Sequence, residues 1–213
     1  MFINVLYYLY CVFLRSTLKL NTMSKLHSIT TCDYINFDEA LNTAKKLMKD
    51  ETRGLKTELI GLFIITAINT GLRVSDLLTV TYSQLRSGVI TLKEQKTGKK
   101  REVKVNANII EALNNLQRRN QGGFVFVSQK GGVFTVQQIN RLLKVAFVKL
   151  LPDNCISSHS LRKTFGRRVY ENANRSEHSL QMLSELFNHS TIKMTRIYLG
   201  LKQEEFSDVY SNL

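Results

Sequence analysis

The sequence predicts a mainly α protein interrupted by one small three-stranded antiparallel β-sheet, an α+β arrangement. Three observations predict it. Most of the chain repeats apolar residues at helical spacing. Residues 84–106 instead alternate Val, Ile, Leu and Thr with charged residues. Ser87-Gly88 and Thr97-Gly98 break that stretch at two points, where hairpin turns would link three short strands. At 213 residues, 43% of them hydrophobic, the chain can bury one solid core, and it is read as one main domain.

The elements follow in order. "FINVLYYLYCVFLR" is apolar but too short to span a bilayer, and no basic residues precede its apolar run. Met23 is followed by polar "SKLHS", so residues 1–22 are read as an apolar extension upstream of a native start. "NFDEALNTAKKLMKD" (36–50) opens on Asn36 with Glu39 three residues on, a capping-box pattern, and continues as a helix. "KTELIGLFIITAINTG" (56–71) is apolar nearly all round and stops at a glycine, as a buried helix does. After the strand region, helical patterning returns at 107–120 and 135–150, separated by the apolar run "FVFV" and Gly131-Gly132. Three further helices are expected over 157–173, 179–187 and 190–199, and a last short one at "QEEFSDVYS".

Composition narrows the function. Lys and Arg number 30 against 17 Asp and Glu, a formal net charge of +13, which favours a polyanionic partner such as nucleic acid or an anionic surface. Cys11, Cys32 and Cys155 are odd in number and lack metal-ligand spacing, so neither a disulfide framework nor a zinc site is expected, and a reducing cytoplasm fits.

In "HSLRKTFGRRVY", His159 and Arg162 lie three apart, one helical turn along the same face. Alone, such a pair is most often a solvated face. The conjunction is more specific: "TGLRVSDL" with Arg73, "EQKTGKKREV" with Lys96, "HSLRKTF" with His159 and Arg162, and "FNHSTIKMTRIY" with His189 nine residues before Tyr198. In this order the motifs resemble the tyrosine recombinase family, the phage integrase type, over roughly residues 36–210. The family's pattern is an Arg in a "TGLR" turn, a Lys in a strand hairpin, an "HxLR" helix, and a His nine residues before a nucleophilic Tyr. Asn188 stands where the family usually has Gly. Asn tolerates left-handed backbone angles best among the other residues, so the turn is expected to survive.

The resemblance implies the recombinase catalytic-domain fold over residues 23–200. It also implies a site-specific recombinase that cleaves and rejoins DNA through a 3′-phosphotyrosyl intermediate. The residue types suit that chemistry. Attack on a phosphodiester spreads negative charge over nonbridging oxygens, and fixed guanidinium forks at Arg73 and Arg162 match it, with His189 as a third donor. A phenol of reference pKa near 10 needs a base, the role given to His159 toward Tyr198. Lys96 takes the family's general-acid role toward the leaving 5′ oxygen, although Lys93, Lys99 and Lys100 stand beside it. A phosphotyrosyl link conserves the bond energy, so no cofactor and no metal is implied. Tyr210, twelve residues beyond Tyr198, has no His nine residues before it and is the decoy nucleophile.

Basic residues cluster in two stretches, 86–104 and 141–175. From them Lys93, Lys99, Lys100, Arg101, Arg141, Lys144, Lys163 and Arg167 are expected to meet DNA phosphates. The tail 201–213 holds Glu204, Glu205 and Asp208 against Lys202 alone, and by resemblance it serves protomer contacts. The expected partners are double-stranded DNA, further copies of the chain on DNA (a tetramer in synapsis) and accessory DNA-bending proteins, with no membrane. The expected location is cytoplasmic, at the nucleoid of a prokaryotic host, or phage-encoded. Only 72 residues precede Arg73, too few for the helical clamp domain most integrases carry, so either a short single-domain recombinase or a truncated one is expected. Two alternatives stay open: a type IB topoisomerase, which carries Lys where His159 stands, and a non-catalytic DNA-binding regulator on the same fold.

Overall fold

A computed structural model describes residues 32–50, 55–96, 98–116, 123–128 and 131–201. The apolar extension, residues 1–22, and the expected last helix in the tail lie outside them.

The chain is mostly helical with one antiparallel pair of strands, in the order α1 (Phe37–Lys49), α2 (Leu55–Thr70), α3 (Val74–Leu77), α4 (Tyr82–Arg86), β1 (Val89–Lys93), β2 (Lys100–Lys104), α5 (Ala107–Asn114), α6 (Val136–Phe147), α7 (Ser158–Asn172), α8 (Glu177–Phe187) and α9 (Ile192–Leu199). Helix α2 is the centre of the main core. Leu62, Phe63, Ile64, Ile65 and Ile68 are buried around its whole circumference, and its polar Thr66 and Thr70 remain satisfied by donating to the carbonyls of Leu62 and Thr66, one turn back. Asn36 caps α1 as expected, its side chain accepting the N–H groups of Asp38 and Glu39 at 2.9 and 3.2 Å. Gly71 ends α2 at φ +60°, and the turn it opens carries Arg73.

The sheet differs from expectation. It has two strands, in the register Ile90 with Val103 and Leu92 with Arg101. The residues expected to form the first of three strands, Gln84 to Arg86, are the end of α4. Thr81 caps that helix through a reciprocal box: its hydroxyl accepts the N–H of Gln84, whose side chain accepts the N–H of Thr81. Tyr82 and Leu85, three apart, are both buried, and that helical spacing outweighs the local β-like alternation.

The caps of the remaining helices are Asn106, Thr135, Ser157, Ser176 and Thr191, each accepting from a backbone N–H in the first turn. A second, smaller core joins the last helices: Leu180, Leu183, Phe187, Leu199 and Leu201 are buried together, with Phe165, Val169 and Tyr198 packed against them. Helix α7 passes close to this core because residue 166 is a glycine. A Cβ there would stand 2.7 Å from Leu199 Cδ2 and 3.0 Å from Phe187 Cε2.

Candidate active site

The Gly71 turn and the end of α8 meet at one point, the carbonyl of Phe187. Arg73, the residue capping α3, donates from Nη2 to that oxygen at 3.0 Å. Arg162, on the second turn of α7, reaches the same oxygen from Nη2 at 3.5 Å and donates from Nη1 to the carbonyl of Gly71 at 2.6 Å. Two guanidiniums 89 positions apart in sequence are thereby brought to one place. Helix α8 ends there, and its C-terminal carbonyls carry partial negative charge that favours cations. Asn188 makes the stop with φ 56° and ψ 48°, the left-handed geometry expected of it.

Around this point a cavity of about 310 Å³ is lined by Arg73, Lys96, His159, Arg162, His189 and Tyr198, together with Leu72, Val74, Ser75, Ser158, Phe187 and Asn188. All six residues singled out as catalytic candidates share it. Lys96 is exposed in the loop between β1 and β2, and His159, in the first turn of α7, is open to solvent on one side and partly desolvated where it faces the cleft. His189 follows the α8 stop, and its Nδ1 is hydrogen-bonded to the hydroxyl of buried Thr195 at 3.0 Å. Tyr198, half-buried on α9, sets its ring edge-on to both Phe187 and His189, at 5.5 and 5.2 Å between centroids. Its hydroxyl donates to the carbonyl of His159, not its imidazole, over a long 3.4 Å.

Electrostatics follows from this crowding of cations in a partly desolvated cleft. Burial lowers the pKa of Arg162 to about 10, with Arg73 and Arg101 pushing the same way and Tyr198 and Glu94 opposing, so it stays charged at neutral pH. Burial, then Arg162, Lys163 and Lys96, holds His159 below the ordinary histidine value. His189 is lowered by burial, Arg162, Arg73 and Lys96. Burial raises Tyr198 well above the ordinary phenol value, against the pull of Arg162 and Arg73. The resting site therefore holds a protonated phenol beside neutral imidazoles and charged guanidiniums.

Of the eight cations expected to face DNA, Lys93, Lys99, Lys100, Arg141 and Lys144 are exposed. Three are turned inward. Arg101 donates to Glu94 and to the carbonyl of Leu186, Lys163 donates to the carbonyl of Cys32 at 2.6 Å, and Arg167 stacks on Tyr34. Basic clustering along the sequence carries no information about which cations lie inside a helix face. Lys99 donates to Asn188 at 3.0 Å, and with Lys100 and Arg101 it lines a second cavity of about 530 Å³ between β2 and α8.

Sequence reasoning missed Glu94, Phe187 and Thr195, which with Asp76 fix the candidates in place. Glu94 is 5% exposed and accepts from Arg73 at 2.7 Å and from Arg101 at 3.0 Å. Asp76 is buried 4.0 Å from Arg73, and its Oδ1 accepts the N–H of Gln95, next to Lys96. The spacing of Arg73 and Asp76, three apart, was a usable signal; nothing marked Glu94, between Lys93 and Gln95 in a basic stretch, as buried.

Residues 36–205 match the model of the phage integrase family. The tyrosine recombinase XerC of Xanthomonas campestris pv. campestris strain B100 is 29% identical over 182 residues, 83% of this chain and 53% of that protein. The chain spans about half the length of the curated relatives it matches. Its fold resembles the crystal structure of XerA recombinase, with TM-score 0.61 and 19% identity over 91% of this chain and 66% of that one. It also resembles XerH site-specific recombinase bound to palindromic difH substrate, with TM-score 0.61 and 20% identity over 90% of this chain and 56% of that one. The chain belongs to the phage integrase family, the tyrosine recombinases.

Proposed function

We propose that the chain is the catalytic domain of a site-specific DNA recombinase. The observation that carries this reading is that side chains from four separated motifs line one cavity, two guanidiniums and two imidazoles around one phenol. With a DNA phosphate in the cavity, the Tyr198 oxygen attacks phosphorus, forming the phosphotyrosyl bond as the bond to the 5′ oxygen breaks. His159, neutral because its pKa is lowered, takes the phenol proton; Lys96 delivers a proton to the departing oxygen. Arg73, Arg162 and His189 stabilise the charge on the nonbridging oxygens, and reversal of the steps by a new 5′ hydroxyl rejoins a strand. The weak 3.4 Å tether of the phenol to the His159 carbonyl leaves it free to turn toward that imidazole when DNA binds.

Double-stranded DNA is the proposed partner, in keeping with the net charge of +13 and with the DNA-bound form of the XerH neighbour. The exposed Lys93, Lys99, Lys100, Arg141 and Lys144 are its proposed phosphate contacts. Exchange between sites requires several copies on DNA, a tetramer in synapsis, with accessory DNA-bending proteins assisting. The acidic tail 201–213 is the proposed protomer contact. The proposed location is the cytoplasm, where DNA is the substrate; no helix among the described residues is long and apolar enough to cross a membrane.

The test is a denaturing gel of the protein with nicked duplexes. A covalent adduct that disappears in Tyr198→Phe while DNA binding persists is the expected result. Binding without any adduct overturns the reading in favour of a non-catalytic regulator.

A further inference from the structure

The hairpin that carries Lys96 and the turn that carries Arg73 are joined through one buried carboxylate. Glu94 lies immediately after β1, and its backbone closes the Lys96 loop: its N–H donates to the carbonyl of Lys99 at 2.9 Å, and its carbonyl accepts from the N–H of Gly98 at 2.8 Å. Its two carboxylate oxygens accept from different arginines, Oε2 from Nη1 of Arg73 and Oε1 from Nη1 of Arg101. Each arginine continues to the end of α8, Arg73 to the carbonyl of Phe187 and Arg101 to that of Leu186. The three elements thus share a network centred on a carboxyl group that is 5% exposed.

A charge this deeply buried requires partners, and the geometry supplies them on both sides. Two of the five N–H bonds of Arg73 are committed, one to Glu94 and one to Phe187. A planar fork held at two corners has its direction fixed, which is what bidentate recognition of a phosphate demands. We propose that Glu94 is a positioning residue for strand cleavage, its carboxylate aiming the Arg73 fork and locking that arginine to the loop that presents Lys96. Cation to the phosphate and acid to the leaving oxygen then keep a fixed separation while DNA is exchanged. The inference rests on the recombinase reading above. Glu94 also opposes, as the smallest of several influences, the lowering of the Arg162 pKa by burial.

The experiment uses the full chain and a pool of nicked duplexes randomised around the nick, with adduct formation followed in single turnover and DNA affinity measured by mobility shift. Glu94→Gln is expected to slow adduct formation about 10²-fold while DNA affinity changes little. Adduct formation at the wild-type rate overturns the proposal. Because Glu94→Gln leaves two arginine charges facing each other, a second variant separates chemistry from folding. Glu94→Gln/Arg101→Gln removes one charge of each sign and is expected to melt close to the wild type yet to remain slow; recovery of the rate with the melting temperature shows a merely structural role. Hydrogen exchange without DNA gives a third arm. The amides of Glu94 and Gly98 are expected to exchange faster in Glu94→Gln while those of α2 do not, and unchanged loop amides overturn the clamp. A wild-type protein that forms no Tyr198-dependent adduct refutes the recombinase reading instead, and the exchange arm still decides whether Glu94 holds the loop.

Discussion

The two walls of the candidate active site are built to different standards. Arg73, Glu94 and Asp76 stand on the large core around α2, where charged groups are buried and paired on two sides. Tyr198 stands on α9, an eight-residue helix attached through the small core of Leu180, Leu183, Phe187, Leu199 and Leu201. A helix that short is marginal in water without tertiary packing. The ion pair of half-buried Arg196 with exposed Glu177 on α8 adds little. The wall proposed to receive charge is fixed by buried ion pairs, and the wall proposed to supply the nucleophile is held mainly by apolar packing on a small core. Electrostatic stabilisation requires fixed dipoles and charges. Covalent attack requires an oxygen that advances onto phosphorus, and a short helix on a small core is better suited to that travel than the main core is.

The sharpest way to break this contrast is at Phe187, the residue both walls share. Its ring stacks under Arg162 at 4.4 Å and meets Tyr198 and His189 edge-on, while its carbonyl receives both guanidiniums. Phe187→Ala is expected to cost about 3–5 kcal/mol. Hydrogen exchange is expected to show the loss concentrated in α8 and α9, with α2 still protected. Equal loss of protection in α2 contradicts the contrast, since the small core would then be continuous with the large one in energy.

A milder change acts on the same junction from the α7 side. Gly166→Ala gains about 1 kcal/mol of helix propensity but places a methyl against Leu199 and Phe187, and such overpacking costs about 1–3 kcal/mol. The net expectation is a destabilisation of up to about 2 kcal/mol in thermal melting, with adduct formation slowed because α9 is pushed outward. A variant that melts higher than the wild type and cleaves as fast shows that α9 yields without consequence.

The two walls were also unequally legible in the sequence. Residues proposed to touch substrate must be of particular types in a particular order, so Arg73, Lys96, His159, Arg162, His189 and Tyr198 stood out as motifs. Helix ends were equally readable, because Asn36, Gly71 and Asn188 act through local backbone geometry. Glu94 and Arg101 were not. Their roles arise from pairing across the hairpin and onto α8, 85 positions away for Arg101, and no local pattern distinguishes a buried glutamate in a basic stretch from a solvated one. The third expected strand failed for the opposite reason, since the Thr81 and Gln84 cap was a local helix signal that the alternation of charged and apolar residues after it masked in the sequence.

The smallest expected effect tests whether the two walls communicate through charge. Lys163 lies on α7, its ammonium 5.5 Å from the centroid of the Tyr198 ring and bonded to the carbonyl of Cys32. It is one of the cations that lower the pKa of His159, after burial and Arg162. A general base works in its neutral form, so the acid limb of the pH profile for adduct formation follows the pKa of His159. That pKa lies below the ordinary histidine value, so the limb lies below it too. Lys163→Met keeps most of the side chain's bulk and removes the charge, and the pKa of His159 is then expected to rise back toward its ordinary value. The acid limb should shift to higher pH, with the plateau rate far less affected than by any change at Phe187. A limb that stays in place, or moves to lower pH, means that the base is not His159 or that Lys163 is electrically silent across the cleft.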